Sequence, residues 1–126
     1  MKKVSVITPV YFNEDFLLLH FKALKEQKEI LNQKYNADLE VIYINDGSGD
    51  NSLAILREIK SLAPDWVTVI SLSKNFGAMA AVSAGFRYIT GDCFTVLAAD
   101  LQDPPKLVID LVESWLRGHD FSICAR

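Results

Sequence analysis

Residues 39–62 read LEVIYINDGSGDNSLAILREIKSL, and this stretch predicts the fold. Its first part, Leu39–Ile44, is rich in Val, Ile and Tyr and is typical of a buried strand. Its last part, Asn51–Leu62, carries apolar residues at helical spacing until Pro64 stops the helix. The turn between them, Asn45–Asp50, is polar and contains two glycines. A strand, a short turn and an amphipathic helix form the basic unit of a parallel α/β sheet.

The same alternation of strand and helix patterns continues on both sides of this stretch. The other predicted elements are, in chain order, strand 4–10, helix 14–31, strand 66–72, helix 75–89, strand 93–99, a helix that opens at 104–105 and ends at 118, and strand 121–124. Strands that alternate with helices need right-handed crossover connections. We therefore predict a Rossmann-like, three-layer α/β/α fold with a mostly parallel sheet and helices on both faces.

Composition limits the classes of protein that fit. The 126 residues, half of them hydrophobic, suffice for one domain. The net charge of -3 argues against nucleic acid as a partner. Cys93 and Cys124 each lie in an apolar run, so we expect buried thiols and a reducing, cytoplasmic setting. No apolar run approaches the roughly twenty residues of a membrane span, so we expect a soluble chain that can still touch a membrane from outside.

Several other sites are disfavoured by the motifs that the sequence lacks. Neither a G-x-G-x-x-G motif nor a P-loop lysine motif follows the first strand. A phosphorylated receiver domain would need an acidic cluster there, where Pro9-Val10-Tyr11 stands instead. His20 and His119 have no Cys or His partners at metal-binding spacing, and we expect both at the surface or at helix ends.

In parallel sheets, ligands bind beyond the carboxyl ends of the strands. Tyr11 offers a flat ring there, and Asn13 is expected to cap the following helix. Asp46 could accept hydrogen bonds from a base or a ribose, or it could belong to a turn with a helix cap, and both interpretations stay open. Gly47 and Gly49 permit a tight backbone beside it.

The third and fourth strands end in further candidate residues. Lys74 is a cation near a possible ligand, and Asn75 could cap the next helix. Asp100 and Gln102 are oxygen ligands two positions apart, which suits Mg²⁺ or Mn²⁺ shared with substrate phosphates. Asp103 is assigned mainly to capping. We expect Asp46 and Asp100 at neighbouring strand ends on one rim of the sheet.

Taken together and in order, these segments resemble the family 2 glycosyltransferases with the GT-A fold. The matching segments are Val6–Glu14, Ile44–Ser52, Leu72–Gly77 and Asp100–Pro105. The last of them is the most specific and is similar to dolichyl-phosphate mannose synthase and the bacterial undecaprenyl-phosphate sugar transferases. The resemblance implies transfer of a sugar from a nucleoside-diphosphate sugar to an acceptor, with a polyprenyl phosphate at the membrane surface as the expected acceptor.

The resemblance also implies roles for individual residues. Those that would contact the donor nucleotide are Pro9, Tyr11, Glu14, Asp46, Lys74, Ala99 and Arg126. Within that set, Asp46 would hold the base or ribose and Arg126 would face the phosphates. Asp100 is the expected catalytic residue, and together with Gln102 it would bind Mg²⁺ or Mn²⁺ on the donor diphosphate.

Two positions depart from the family pattern. Ala98 stands where the family usually has the first acid of Asp-x-Asp, which implies a weakened metal site. Lys106 stands where an acid usually follows the two prolines, which changes only the charge at a helix start. The altered metal site leaves a second hypothesis open, a non-catalytic module that binds nucleotide sugars.

The family pattern extends beyond these residues. We expect residues 1–126 to be the nucleotide-sugar-binding part of a truncated GT-A domain, without the acceptor-binding part, and the longer protein to be membrane-associated. An anionic phosphate acceptor needs no general base, and these residues offer no convincing candidate for one. The base, the sugar and the oligomeric state are not predicted by the sequence.

Overall fold

The computed structural model describes residues 2–100 and 107–116. Along these residues strands and helices alternate as β1 (Lys2–Val10), α1 (Leu17–Lys34), β2 (Ala37–Asn45), α2 (Ser52–Leu62), β3 (Val67–Ser71), α3 (Ala78–Phe86), β4 (Cys93–Val96) and α4 (Leu107–Leu116). The predicted alternation is confirmed over the described residues. The predicted fifth strand, 121–124, lies outside them.

The four strands form one parallel sheet in the order β3-β2-β1-β4. The central strand β1 pairs with β2 from Lys2↔Ala37 to Val10↔Asn45. Because all four strands point the same way, the residues that follow them lie on one rim of the sheet. The predicted α/β class with a mostly parallel sheet is confirmed.

The strand order corrects one detail of the predicted site. Asp46 follows β2 and Asp100 follows β4, but β1 lies between these two strands. The prediction that the two acids follow neighbouring strands is therefore wrong. They do lie on the same rim, and both border one cavity.

Side chains on the two faces of the sheet pack against different helices. Along β1, Val4, Val6 and Val10 belong to the core formed with α1, α2 and α4. Ile7 faces the other way and packs with Ala81 of α3. Complete burial of such side chains stabilises the fold by about 1.5–3 kcal/mol each. The sheet thus has helices on both faces, as predicted.

Gly85 lets α3 lie close to the sheet. A Cβ atom at this position would be 2.9 Å from Cδ1 of Ile44 and 3.0 Å from Cγ2 of Ile7. Gly85 and Ala81 of α3 are both buried, whereas Ala78 at the start of the helix is exposed.

The longest helix, α1, begins at Leu17 rather than at Glu14 and continues to Lys34. Its buried positions include Leu17, Leu24 and Leu31, and its other side carries charged residues. No helix among residues 2–100 and 107–116 is long and apolar enough to cross a membrane.

Candidate functional site

A cavity of about 380 Å³ lies at the carboxyl rim of the sheet. The residues that line it come from the ends of all four strands: Pro9, Val10, Tyr11, Asn13, Asp46, Asn75, Gly77, Ala78, Ala98, Ala99 and Asp100. The predicted site residues among them are Pro9, Tyr11, Asp46, Ala99 and Asp100. The fold therefore brings together side chains that the sequence separates by up to about ninety positions.

The β1–α1 loop places an aromatic ring at this cavity. The Tyr11 N–H donates to Asn13 Oδ1, and the Phe12 N–H donates to Ser48 Oγ, each at 2.9 Å. Phe12 has a φ of 54°, which is costly for a bulky residue unless the surroundings hold it. The Tyr11 ring packs edge-on against Phe12 and remains 47% exposed. It can therefore stack on a flat ligand without disturbing the core.

Asp46 is buried, and the β3–α3 loop holds its carboxylate. Oδ1 accepts a hydrogen bond from the Phe76 N–H at 2.8 Å, and Oδ2 accepts from the Gly77 N–H and from Asn75 Nδ2, both at 3.0 Å. A carboxylate has about four acceptor positions, so these donors leave about one for a ligand. The same bonds occupy backbone N–H groups ahead of α3, which are therefore not free to bind a phosphate.

Gly47 allows the loops after β2 and β3 to touch. Its φ is +66°, and a Cβ atom there would lie 2.2 Å from the Lys74 carbonyl carbon and 2.4 Å from the Asn75 nitrogen. Both neighbours are backbone atoms, which cannot rotate aside. At Gly49 a Cβ atom would meet only the Phe12 ring, at 3.4 Å. The predicted tight backbone is confirmed at Gly47.

Asp50 joins the loops after β1 and β2. Its carboxylate accepts hydrogen bonds from Ser48 Oγ, from the Ser52 N–H at 3.0 Å and from the Glu14 N–H at 3.3 Å. Burial raises the pKa of the Asp50 carboxyl, but these hydrogen bonds outweigh burial and hold the pKa below its ordinary value. The Glu14 carboxylate completes the link by accepting from the Asn51 N–H at 3.0 Å. These acids fix the shape of the rim.

Two predicted nucleotide-binding residues do not line the cavity. Glu14 is engaged with Asn51, and Lys74 is exposed with its Nζ 5.3 Å from the centroid of the Phe76 ring. A cation over an aromatic face is attracted weakly at an exposed position, so Lys74 is free to reorient. Arg126 lies outside the described residues.

Asp100 is the acid on the β4 side of the cavity, beside Ala98 and Ala99. Within the parts of the chain that the structure describes, no group of three or more His, Cys, Asp or Glu side chains could hold a metal ion. Gln102 and Asp103 lie outside those parts. A hard cation would find the Asp100 carboxylate here and would need further oxygen ligands, which a bound phosphate can supply. Among the described residues of this cavity, Asp100 would therefore hold a metal only together with the oxygens of a phosphorylated ligand.

Of the two predicted positions for His20, the surface is wrong, because the side chain is fully buried, whereas the residue does lie near the beginning of α1. Its Nδ1 is 3.0 Å from the Tyr43 hydroxyl, and its Nε2 has no hydrogen-bond partner. Burial lowers the pKa of His20 to about 4, although the charge of Asp100 acts in the opposite direction. His20 lies three positions after Leu17 and four before Leu24, and this helical spacing indicated burial. It was missed because a polar residue is not expected in an apolar core.

Asn13 and Asn75, predicted as helix caps, instead line the cavity. The N-cap positions of α1 and α3 are Phe16 and Gly77, and neither makes a side-chain cap hydrogen bond. Asn13 Oδ1 accepts from the Tyr11 N–H within its own loop, whereas Asn75 Nδ2 donates to Asp46 in the loop after β2. Their position directly after a parallel strand was the signal that could have assigned them to the site.

A larger cavity of about 610 Å³ lies between the β3 edge and α3. Ile70, Leu72 and Tyr88 border it, and Arg87 is the charged side chain in its wall. None of the predicted site residues lines this cavity. Ligand sites need several convergent polar groups, so we assign the function to the smaller cavity at the rim.

The fold and the rim cavity define an α/β protein with a candidate ligand site at the carboxyl ends of parallel strands. The family model for glycosyl transferase family 2 matches residues 5–126. The chain therefore belongs to glycosyl transferase family 2.

Curated relatives agree with this assignment. The chain is 39% identical over 122 residues to the uncharacterized glycosyltransferase YkcC of Bacillus subtilis (strain 168), covering 97% of this chain and 36% of that protein. It is 37% identical over 120 residues to the undecaprenyl-phosphate 4-deoxy-4-formamido-L-arabinose transferase of Klebsiella pneumoniae (strain 342), covering 95% of this chain and 36% of that protein. The chain thus spans little more than a third of these relatives.

A solved structure supports the fold. The mannosyltransferase PcManGT from Pyrobaculum calidifontis, in complex with GDP-Man and Mn²⁺, matches with a TM-score of 0.72 at 22% identity, over 87% of this chain and 31% of that chain. At that identity the likeness concerns the fold alone. The predicted Rossmann-like GT-A fold is confirmed.

Proposed function

We propose that this chain binds a nucleoside-diphosphate sugar in the 380 Å³ rim cavity and takes part in transferring the sugar to an acceptor phosphate. The observation that carries the proposal is the meeting of Tyr11, Asp46 and Asp100 at one cavity in a family 2 chain. These side chains offer a flat ring, a hydrogen-bond acceptor and a carboxylate. A nucleoside-diphosphate donor presents a base, a ribose and a diphosphate that match them.

The nucleoside would lie beside Pro9, Tyr11 and Asp46. The carboxylate of Asp46 has about one acceptor position left after its bonds within the protein. Uracil and guanine both carry a ring N–H that could donate to it, so we propose a uridine or guanosine diphosphate. The GDP-Man bound by PcManGT is consistent with this choice.

The diphosphate would lie beside Asp100, which lines the cavity. Asp100 and the phosphate oxygens would hold Mg²⁺ or Mn²⁺, and the family resemblance suggests Gln102 as a further ligand. A bound divalent cation supplies Lewis-acid stabilisation of the leaving diphosphate. The Mn²⁺ in PcManGT supports a metal of this kind. Because Ala98 supplies no carboxylate, the protein part of the site is weaker than Asp-x-Asp would be.

The residues of the chain itself would orient the donor rather than transfer protons. Asp46 and Asp50 accept hydrogen bonds that connect the loops of the rim. The buried Ala99 lines the cavity beside Asp100. Lys74, exposed in the loop after β3, would be a further cation for the phosphates, and the family resemblance suggests the same role for Arg126. If the acceptor is a phosphate anion, it attacks without a general base.

We propose a polyprenyl phosphate as the acceptor, at the cytoplasmic face of a membrane. The support is the undecaprenyl-phosphate transferase of Klebsiella pneumoniae among the relatives. The alternative is a non-catalytic module that binds nucleotide sugars, and the observation that favours it is Ala98. If release of the sugar from its nucleoside diphosphate required both a divalent metal and a lipid phosphate, this alternative would be excluded.

Calorimetry of nucleotide binding tests the proposed site. We expect UDP or GDP to bind in the presence of Mn²⁺ and Asp100→Ala to weaken that binding about tenfold or more, as loss of a charged ligand does. Asp110→Ala is the matched control, because Asp110 is an exposed acid on α4. Equal affinities for the wild type and both variants would show that Asp100 does not belong to the nucleotide site.

A further inference from the structure

Large apolar side chains are exposed mainly at the carboxyl rim of the sheet. Within residues 2–100 and 107–116, two segments carry most of them: the loop after β1 with the first turn of α1, and the loop after β3 with the first turn of α3. These side chains are Tyr11, Phe12, Phe16, Leu18, Leu19, Phe76 and Met79. Single exposed apolar side chains are common in proteins, but a group of them marks a surface that contacts a partner.

The first of these segments carries a patch beside the rim cavity. Its members are Phe12, Phe16, Leu18 and Leu19, which we call the α1 patch. Phe12 is 55% exposed and packs edge-on against Tyr11, which lines the cavity. Phe16 directly precedes α1, and Leu19 lies three positions later on the same side of the first turn. None of the four lines the cavity itself, so the α1 patch borders its mouth.

The exposed face of α1 is apolar only at this end. Beyond Leu19, every exposed residue of the helix is polar or charged: Lys22, Lys25, Glu26, Glu29, Asn32, Gln33 and Lys34. Helix faces that meet water usually carry such residues along their whole length. Contact with water therefore does not account for Leu18 and Leu19, whereas contact with a partner at the rim does.

The charges behind the α1 patch suit an anionic surface. Lys22 lies four positions after Leu18 and three after Leu19, so it is next to both on the helix surface. Asp15 is an exposed acid in the same segment, whereas the Glu14 carboxylate is held by the Asn51 N–H. Phenylalanine and leucine side chains with lysines behind them are typical of a helix that lies in the head-group region of a lipid layer.

We propose that the α1 patch binds the surface of a lipid bilayer that contains anionic lipids. The apolar side chains of the patch enter the head-group region, and Lys22 contacts lipid phosphates. The inference rests on the proposed function for its purpose, because it brings the mouth of the rim cavity to a membrane that holds a polyprenyl phosphate. A protein partner would also cover apolar side chains, but Lys22 beside the leucines and the contact of Phe12 with Tyr11 at the cavity favour the lipid.

Co-sedimentation with lipid vesicles tests this contact. The vesicles consist of phosphatidylcholine alone, or of phosphatidylcholine and the anionic phosphatidylglycerol in equal amounts. We expect tighter binding to the mixed vesicles, and Leu19→Gln should weaken it about tenfold, as loss of one inserted leucine does. Glutamine has a high helix propensity, so the variant should keep its fold.

Leu62→Gln is the matched control for the leucine. Leu62 is 65% exposed, compared with 57% for Leu19, and it is the last residue of α2. Because α2 begins after β2 at the rim and leads back to the start of β3, Leu62 lies at the opposite end of the sheet. Its replacement should leave vesicle binding unchanged.

Lys22→Gln tests the charge. We expect it to weaken binding to the mixed vesicles about fivefold and to leave binding to phosphatidylcholine unchanged, because one lysine near an anionic surface contributes about that factor. Lys34→Gln removes the same charge at the far end of α1 and should match the wild type. Added salt should weaken binding to the mixed vesicles, because it screens exposed charges.

Several outcomes would overturn the inference. One is that the wild type binds neither kind of vesicle. Another is that Leu19→Gln and Leu62→Gln weaken binding equally, because the α1 patch would then not be the contact. A third is that Leu19→Gln binds vesicles like the wild type. If that variant also turns a dimer into a monomer in size-exclusion chromatography, the α1 patch binds a second copy of the chain.

Calorimetry with UDP or GDP and Mn²⁺ separates this inference from the function on which it rests. Leu19 does not line the cavity, so Leu19→Gln should bind nucleotide like the wild type. If the wild type binds nucleotide but no vesicles, the inference is overturned and the donor site stands. If vesicle binding depends on Leu19 and Lys22 but no nucleotide binds, the membrane contact stands and the proposed function is overturned.

Discussion

His20 makes the stability of the folded chain depend on pH. Burial lowers its pKa from 6.5 to about 4, so between these values the unfolded chain binds a proton that the folded chain does not. The free energy of unfolding should therefore be highest above pH 6.5 and fall as the pH drops toward 4. A shift of this size corresponds to a loss on the order of 3 kcal/mol.

Urea unfolding of the wild type and His20→Leu at several pH values measures this effect. The wild type should lose stability between about pH 6.5 and pH 4, and the variant should lose much less. Asp38 and Asp50 have lowered pKa values, so their contributions are lost mainly as the pH falls toward and below the ordinary 3.8, and both proteins share that loss. Parallel curves for the two proteins would show that His20 is not held neutral by burial.

The sequence predicts a site residue where the signal is local, but it does not predict contacts between segments that are far apart along the chain. Asp46 and Asp100 were predicted because an acid directly after a strand is a local signal. That Phe76 and Gly77 donate to Asp46 could not be predicted, because those residues lie 30 and 31 positions away. Their approach depends on β3 pairing with β2, which the sequence pattern does not specify.

The loops after β2 and β3 depend on Gly47 for their contact. Gly47→Ala should destabilise the chain by at least about 1–3 kcal/mol, because the new Cβ atom would collide with the backbone of Lys74 and the φ of +66° is unfavourable. To relieve this collision, the loop after β3 would have to shift. The shift would move Asn75 and the other groups that hold Asp46, so nucleotide affinity should also fall. Urea unfolding and calorimetry measure the two effects.

Gly49→Ala in the same turn is the control. Its Cβ atom would make an ordinary contact of 3.4 Å with the Phe12 ring, and its φ is not in the left-handed region. We expect a change within about 0.5 kcal/mol. Equal effects of the two substitutions would show that the close approach at Gly47 does not hold the loops together.

Helices and strands were predicted more reliably than their ends. The apolar spacing in 51–62 predicted α2, which the structure places at Ser52–Leu62. Strand four was predicted over 93–99 but ends at Val96, because only Cys93–Val96 pair with β1. The predicted helix caps were wrong because Asn13 and Asn75 form hydrogen bonds with Tyr11 and Asp46 instead. Which of these partners an asparagine takes depends on the neighbouring loops.

The architecture of the whole chain follows from the alternation of its elements, but the strand order does not. Alternation requires crossover connections and therefore a parallel sheet, which the structure has. The pattern contains nothing that puts β1 between β2 and β4, because pairing depends on packing between distant segments. As a result, the sequence correctly predicted that Asp46 and Asp100 share one rim, but it wrongly predicted that their strands are adjacent.

The proposed metal site would combine the end of β4 with a ligand, so its affinity for the metal should depend on the charge that each contributes. Affinity at such sites tracks the number of charged ligands. With Ala98 in the cavity wall beside Asp100, the wild type should bind free Mn²⁺ poorly and bind it better with UDP or GDP, whose phosphates add charge. Ala98→Asp should tighten Mn²⁺ binding about tenfold or more without nucleotide, as a restored charged ligand does.

A Mn²⁺ titration of the wild type and Ala98→Asp, each with and without nucleoside diphosphate, measures this dependence. Ala54→Asp is the control, because it adds the same charge at an exposed position on α2 and should leave Mn²⁺ affinity unchanged. If the wild type alone binds Mn²⁺ as tightly as Ala98→Asp, another acid completes the site, and Asp103 becomes the candidate. If neither binds Mn²⁺ even with nucleotide, Asp100 is a structural residue, and the non-catalytic binding module becomes the better account of the cavity.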